Sequence, residues 1–299
     1  MGFEAGLKTI VVATDLDGRS EAALEYGRKI AGAYGARIVL SYGLDPLDYA
    51  SVDTVPGAVL RTMPEAARAV LHKMSEELSR QGIHSHSDVR QGTVVQTLLD
   101  VAKQYEAGLI VMGSEGRKGA GVIAVGAITE ELVRRAQCPV LAVSADWNAG
   151  PFRPTPGGPV LLALERNEAT AAAVACAVSL AERFQRPLFV VHARTAAEAS
   201  AFLNPGATTL NDFGIRAPKG IDVRCLVKDG RPEDAVSNAI EQHRPSILVL
   251  GVKRSSGSGG VHGTAFSLLA GSRVPVLCVP AEAGEPDAQA STALHAMSH

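Results

Sequence analysis

Short, unbroken apolar runs recur along the chain, separated by longer stretches with helical spacing. The runs are Thr9–Ala13, Ile38–Tyr42, Leu109–Met112 and Val140–Val143, then Val160–Leu164, Leu188–His192, Ile247–Leu250 and Val276–Val279. Runs this short, without apolar/polar alternation, predict strands buried on both faces, and hence parallel sheets covered by helices. Ser20–Gly35 and Asn167–Gln185 are rich in alanine and carry helical periodicity. Strand–helix alternation with right-handed crossovers builds doubly wound sheets.

The pattern occurs twice. Val89-Arg90-Gln91-Gly92 aligns with Val227-Lys228-Asp229-Gly230, and Leu109–Gly113 aligns with Ile247–Gly251, both at an offset of 138. Near the front, Val11–Asp15 aligns with Leu161–Glu165 at an offset of 150, so the second half is shorter between its second and third strands. A period this long is not a solenoid repeat. It implies two similar five-stranded domains in tandem, residues 1–145 and 159–280. Residues 146–158, rich in Pro and Gly, form the linker, and residues 281–299 form a tail expected to be disordered. The fifth strands, Val140–Val143 and Val276–Val279, are apolar edges that need covering. Pairing them within the chain gives a pseudo-dimer.

At 299 residues, 46% of them hydrophobic but only 4% aromatic, the cores must be packed by Ala, Val, Leu and Ile. A net charge of −2 argues against nucleic-acid binding by counterion release. The four cysteines have no Cys-x-x-Cys pair and read as reduced thiols. No apolar run reaches the ~18 residues a membrane helix needs, and no signal-peptide pattern opens the chain. A cytoplasmic protein without a membrane partner is expected.

The chemistry concentrates at Val111-Met112-Gly113-Ser114-Glu115-Gly116, closed by Gly126. A strand ends there and a helix follows. Glycines allow a sharp turn and close approach of a ligand to the main chain, and successive N–H groups before a helix N-terminus attract anions. The spacing matches neither the Walker A loop nor the dinucleotide fingerprint. Asp15, at the end of the first strand, would accept from a ribose hydroxyl or an adenine amino group. It would repel phosphate, which is left to the glycines with Arg117 and Lys118 beside them. Two plainer readings stand beside this: Asp15 or Asp17 as a helix cap, and the glycines as a flexible loop.

Taken together, Val12-Ala13-Thr14-Asp15, Ser41-Tyr42-Gly43-Leu44-Asp45-Pro46, Met112-Gly113-Ser114-Glu115-Gly116-Arg117, Gly126 and Cys138-Pro139-Val140-Leu141-Ala142-Val143 resemble the universal stress protein family. The resemblance spans nearly all of residues 7–280. It implies an adenine-nucleotide alpha-hydrolase-like fold in each half and a stress-response regulatory protein that binds ATP, ADP or AMP, with Mg²⁺ carried by the nucleotide. By that resemblance Ala13, Thr14 and Asp15 contact adenosine, Gly43 faces the adenine and Met112 packs against the ring. Gly113, Gly116, Arg117, Gly126, Ala127 and Ile128 surround the phosphates. The family closes its loop with Gly-Ser or Gly-Thr, whereas this chain has Gly126-Ala127. A lost hydroxyl contact costs ~1–3 kcal/mol, enough to weaken ATP tenfold or favour a shorter nucleotide. Thr129 lies too far along the helix to be a clear substitute. The second half departs further, with Glu165 for the aspartate and Gly251-Val252-Lys253-Arg254 in place of the glycine pair, although Gly263-Thr264 restores the hydroxyl.

Other constellations carry less. Ser255–Gly260 is glycine-rich but follows a fourth strand rather than a first. His84 and His86 alternate on a third strand and are too few for a structural metal. No general base or metal ligand set can be placed, so at most slow ATP hydrolysis is expected, with Glu115 the nearest group to assist a water. The alternative function is a nucleotide-free interaction module. A homo-oligomer is expected in either case.

Overall fold

The computed structural model describes residues 7–16, 18, 20–45, 57–114, 126–145, 147, 157–165, 169–194, 220–252 and 264–281. The first half runs β1 (Thr9–Ala13), α1 (Glu21–Tyr34), β2 (Arg37–Leu44), α2 (Gly57–Arg80), β3 (Ser85–Gln91), α3 (Val94–Gln104), β4 (Leu109–Gly113), α4 (Ala127–Arg135) and β5 (Val140–Val143). The second runs β6 (Val160–Ala163), α5 (Thr170–Phe184), β7 (Leu188–Arg194), β8 (Val223–Asp229), α6 (Pro232–His243), β9 (Ile247–Val252), α7 (Thr264–Gly271) and β10 (Val276–Pro280).

All ten strands join one sheet in the order β3-β2-β1-β4-β5-β10-β9-β6-β7-β8. Each half is a five-stranded doubly wound parallel sheet, as the apolar runs predict. The halves meet where β5 and β10 pair antiparallel, with Leu277 opposite Leu141 and Cys278 opposite Val140. This junction covers both apolar edges at once. Because it is antiparallel, the carboxyl ends of the strands in the two halves point to opposite ends of the sheet.

Helices cover both faces, and each face forms a core shared by the two halves. One core packs Ile30 of α1, Leu71 of α2 and Leu180 of α5 on alternate strand residues such as Val12, Leu141 and Leu277. The other packs Leu98 of α3, Leu132 of α4, Val236 of α6 and Leu268 of α7 on the intervening residues, among them Val11, Met112 and Leu250. In α1, a Cβ on Gly27 would lie 2.9 Å from Val12 Cγ2, so only glycine lets this helix sit so close to the sheet. Across the junction, Tyr26 O–H donates to the Ser246 carbonyl at 2.7 Å and Tyr34 Oη pairs with Ser179 Oγ at 2.9 Å. Burial pushes the Tyr26 hydroxyl well above its ordinary pKa, so it stays a neutral donor.

The strands that the apolar runs do not reveal are β3 and the equivalent β8. They are the two outer strands of the sheet and carry polar sequences such as Ser85-His86-Ser87-Asp88. His84 lies just before β3, and His86 packs its ring against Tyr105 at 5.6 Å. Trp147, within the linker stretch, is buried against Tyr26 with ring centroids 5.4 Å apart and Lys29 Nζ 4.6 Å from its ring. That linker residue therefore docks on α1. Most of the tail, from residue 282, lies outside the described residues.

Candidate functional site

The strand order within the first half reverses between β1 and β4, which run side by side with Val12 opposite Val111. Crevices beyond such a switch point are where open parallel sheets bind ligands. The register carries Ala13, Thr14 and Asp15 alongside Met112, Gly113 and Ser114. Ala13 and Met112 face the same core, on the side of α3 and α4, and Met112 is 95% buried by its neighbours, being only 5% exposed.

The β1 tip is organised by Ser20, which the sequence did not single out. Asp15 N–H donates to Ser20 Oγ at 3.2 Å, Ser20 Oγ pairs with Thr14 Oγ1 at 3.0 Å, and Ser20 N–H donates to Asp15 Oδ1 at 3.2 Å. The carboxylate thus holds the main chain at Ser20, the residue at which α1 begins, without capping the free N–H groups of the helix itself. Between them Leu16 adopts a left-handed φ of 61°, where a branched side chain costs energy that the surrounding bonds must offset. The hydroxyl pair Thr14 and Ser20 was the sequence signal available for this arrangement.

At the β4 tip, a Cβ on Gly113 would have no described atom within 4 Å. Ser114 N–H donates to the Val143 carbonyl at 3.0 Å, and Gly126 N–H donates to the Ser114 carbonyl at 3.2 Å, so the residues flanking the glycine loop are pinned together. The loop residues Glu115, Gly116, Arg117 and Lys118 lie outside the described residues, as does Asp17. Among the described residues no side chain caps the N-terminus of α4, and Ala127 and Ile128 in its first turn are exposed, Ile128 by 44%. Uncapped N–H groups at a helix start carry a partial positive charge. Thr129 is buried, and its hydroxyl donates to the Gly113 carbonyl at 3.3 Å. It braces the strand tip and is already committed, so it does not stand in for the hydroxyl missing at Ala127. Gly43 is hemmed in by α3, since a Cβ there would lie 3.2 Å from Val94 Cα.

The second half builds the corresponding tips differently. A cavity of about 280 Å³ lies at the ends of β6, β7 and β9, lined by apolar residues such as Ala163, Leu250 and Val236 and by Glu165, His192 and Thr264. The motif departures of this half gave no hint of such a cavity. Its legible signal is the internal alignment, in which Ala163, Leu250 and Gly251 take the places of Ala13, Met112 and Gly113. Lys253, Arg254, Ser255–Gly260 and Gly263 fall outside the described residues.

Among the described residues no group of three or more His, Cys, Asp or Glu is arranged to hold a metal, and no helix is long and apolar enough to cross a membrane. Burial pushes the thiol of Cys278 up to about 12, leaving it an inert packing residue at neutral pH, and shifts that of Cys138, whose side chain is only partly buried, in the same direction.

The profile of the universal stress protein family matches residues 6–144 and again residues 158–280. A universal stress protein of Methanocaldococcus jannaschii is 26% identical over 138 residues, 46% of this chain and 81% of that one. The crystal structure of a universal stress protein from Archaeoglobus fulgidus superposes with a TM-score of 0.71 at 19% identity, covering 91% of this chain and 98% of that one, so the likeness extends to both halves of the fold. A further universal stress protein, similar to part of the chain (47% of this chain and 99% of that one) at 21% identity and a TM-score of 0.38, was solved in complex with cAMP. With two matches that together take in most of its length, the chain belongs to the universal stress protein family and carries that domain twice.

Proposed function

We propose that the first half binds an adenine nucleotide, ATP, ADP or AMP with any Mg²⁺ carried by the nucleotide, as a regulatory rather than catalytic event in a stress response. One observation carries this reading. The Gly126–Ser114 bond holds the two ends of the glycine loop together at the end of β4, the strand that pairs with β1, so Asp15 and the start of α4 follow the tips of neighbouring strands. An acceptor for ribose or base lies on one side and anion-attracting N–H groups on the other, which suits a ligand with a neutral head and an anionic tail. Ala13 and Met112 supply an apolar wall for the ring. Gly43, Gly113, Gly116 and Arg117 complete the proposed site with Ala127 and Ile128. Nucleotide binding can regulate only by favouring one conformational or oligomeric state over another, so an oligomeric equilibrium sensitive to nucleotide belongs to the same proposal.

Isothermal titration with ATP, ADP and AMP, with and without Mg²⁺, tests the reading. Binding is expected, and Asp15→Ala is expected to weaken it at least tenfold in a protein whose circular dichroism is unchanged. Gly116→Val is expected to discriminate against phosphates by bulk. The absence of binding heat with all three nucleotides overturns the reading, as does an Asp15→Ala protein with undiminished affinity. The second reading, a nucleotide-free interaction module, has the Asp15–Ser20 bond in its favour and is what an empty titration would leave.

A further inference from the structure

The Tyr26 side chain on α1 joins three parts of the chain. Its ring meets that of Trp147, at the start of the linker, in a T-shaped contact with centroids 5.4 Å apart and planes at 84°. Its hydroxyl donates to the carbonyl of Ser246, just before β9, at 2.7 Å. Ser246 in turn holds the far end of the linker, since its N–H and its hydroxyl donate to the Pro159 carbonyl at 2.9 and 3.2 Å. Both ends of the linker are thus fastened through one residue of the first half. Lys29 Nζ, 4.6 Å from the Trp147 ring, adds a cation–π contact from the next turn of α1.

This fastening lies at the end of the sheet that carries the first-half crevice. Because β5 and β10 are antiparallel, the amino ends of β6 and β9 lie at the same end of the sheet as the carboxyl ends of β1 and β4. Backbone bonds connect the two features. Trp147 N–H donates to the Ser144 carbonyl at 3.1 Å, closing a turn directly after β5. The preceding carbonyl, that of Val143, accepts from the N–H of Ser114, where the glycine loop begins, at 3.0 Å. From the other side, α1 begins at Ser20, whose N–H is held by the Asp15 carboxylate. The docking of Trp147 on Tyr26 therefore closes a ring of contacts that runs through the β1 tip, α1, the linker start and the β4 tip. A ligand that fixes Asp15 relative to Ser114 also fixes the surfaces that Tyr26 and Trp147 present to each other.

We propose that Tyr26 and Trp147 form a clamp linked to the first-half nucleotide site, closed when nucleotide is bound and open in a larger share of molecules when it is not. The proposal rests on the nucleotide reading of that site and names its regulatory element. What changes is the attachment of the linker to α1, and with it the hold of the first half on the β6 and β9 ends of the second. Linkage is reciprocal, so a loosened clamp must weaken nucleotide binding by the factor by which nucleotide tightens the clamp.

Trp147 is the single tryptophan of the chain, so tryptophan emission reports on the clamp alone. Full-length wild type and Tyr26→Phe proteins are compared by acrylamide quenching, with and without ATP, and by calorimetric titration with ATP. Tyr26→Phe keeps the ring and removes the donor to Ser246. It is expected to raise the quenching of Trp147, ATP is expected to lower that quenching again, and the affinity for ATP is expected to fall by on the order of fivefold, the lower end of the usual coupling between linked sites. The clamp is overturned if either the quenching or the ATP affinity is the same in the two proteins. If Tyr26→Phe loses the native circular dichroism, Trp147→Ala takes its place with the calorimetric loss as the readout, and an undiminished affinity overturns the clamp in the same way. Absence of binding heat in the wild type sinks the nucleotide reading and the linkage together. Binding heat with no change at Trp147 sinks the linkage alone, so the two failures are distinguishable.

Discussion

The two halves of this chain are the same fold with different tips. β1 and β6 are apolar strands of equivalent register, and each is flanked by the second and fourth strands of its own half. Beyond their ends the similarity stops. In the first half Thr14, Asp15 and Ser20 bond to one another, and a Cβ on Gly113 would meet no described atom within 4 Å. In the second, Thr170, the counterpart of Ser20, donates to the Glu165 carbonyl at 2.6 Å, and Ala169 closes over Gly251. The two halves share what the core needs and differ at the strand ends. Buried strands tolerate little change because their neighbours fix their shape and volume, whereas residues beyond strand ends are packed by fewer neighbours and can vary more.

The largest expected effect falls where the halves cease to be separate. Leu277 is 1% exposed and stands opposite Leu141 at the antiparallel junction. Leu277→Ala should cost about 2–5 kcal/mol, the range for an aliphatic side chain lost from a packed core. Urea unfolding followed by fluorescence and circular dichroism should show one shifted transition for the whole chain. Two separated transitions, with only one of them shifted, would show that the halves fold independently.

A smaller effect contrasts the same helix position in the two halves. Gly27 in α1 corresponds to Ala177 in α5, which is fully buried. Gly27→Ala gains about 1 kcal/mol of helix propensity but forces a methyl to 2.9 Å from Val12 Cγ2, and overpacking of this kind costs about 1–3 kcal/mol. The net expectation is destabilisation of about 1 kcal/mol. Ala177→Gly, which loses propensity without relieving any clash, should also destabilise by about 1 kcal/mol. A stabilised Gly27→Ala protein in thermal denaturation would mean that α1 has room the geometry denies it.

Next comes an ion pair that the second half lacks. Asp88 on β3 accepts from Arg90 Nε at 2.8 Å and from Arg90 Nη2 at 2.7 Å, and its carboxylate is 12% exposed. The position equivalent to Asp88 in β8 is Leu226. The Arg90 guanidinium holds the Asp88 carboxyl below its ordinary pKa. A depressed carboxylate pKa adds stability above the unfolded-state value of about 4, and that stability is lost as pH falls through the folded-state value. Asp88→Asn should therefore cost on the order of 1 kcal/mol at pH 7, and the gap between variant and wild type should narrow below about pH 4. A gap that stays constant from pH 7 to pH 2 would assign the effect to packing. The smallest effect is at Glu25, whose i,i+4 pair with Lys29 on α1 is largely exposed at 2.7 Å. Glu25→Ala should shift stability by no more than about 0.5 kcal/mol, and added salt should erase the difference.

The apolar runs located eight strands within a residue or two at each end, because a strand buried on both faces has no freedom to be polar. β3 and β8 escaped that reading for the converse reason. As outer strands they carry Ser, His, Asp and Lys, and only the paired glycines Gly92 and Gly230 betray them through the internal alignment. The pairing of β5 with β10 was foreseeable from two apolar edges, whereas its antiparallel sense was not. The docking of Trp147 on Tyr26 was not, because a lone aromatic in a Pro/Gly-rich stretch has no periodicity to read.

For the candidate site, sequence established which residues stand at strand ends: Ala13 to Asp15, Met112 and Gly113, and their counterparts Ala163 to Glu165, Leu250 and Gly251. Alternation and chain order determine that much locally. Tertiary structure decided what those ends face. It engaged Asp15 with Ser20, committed the Thr129 hydroxyl to Gly113, and opened a cavity in the half whose motif reads as the more eroded. Each of these depends on how closely a helix start approaches a strand tip, a distance set by side chains far apart in the chain, which no local pattern encodes.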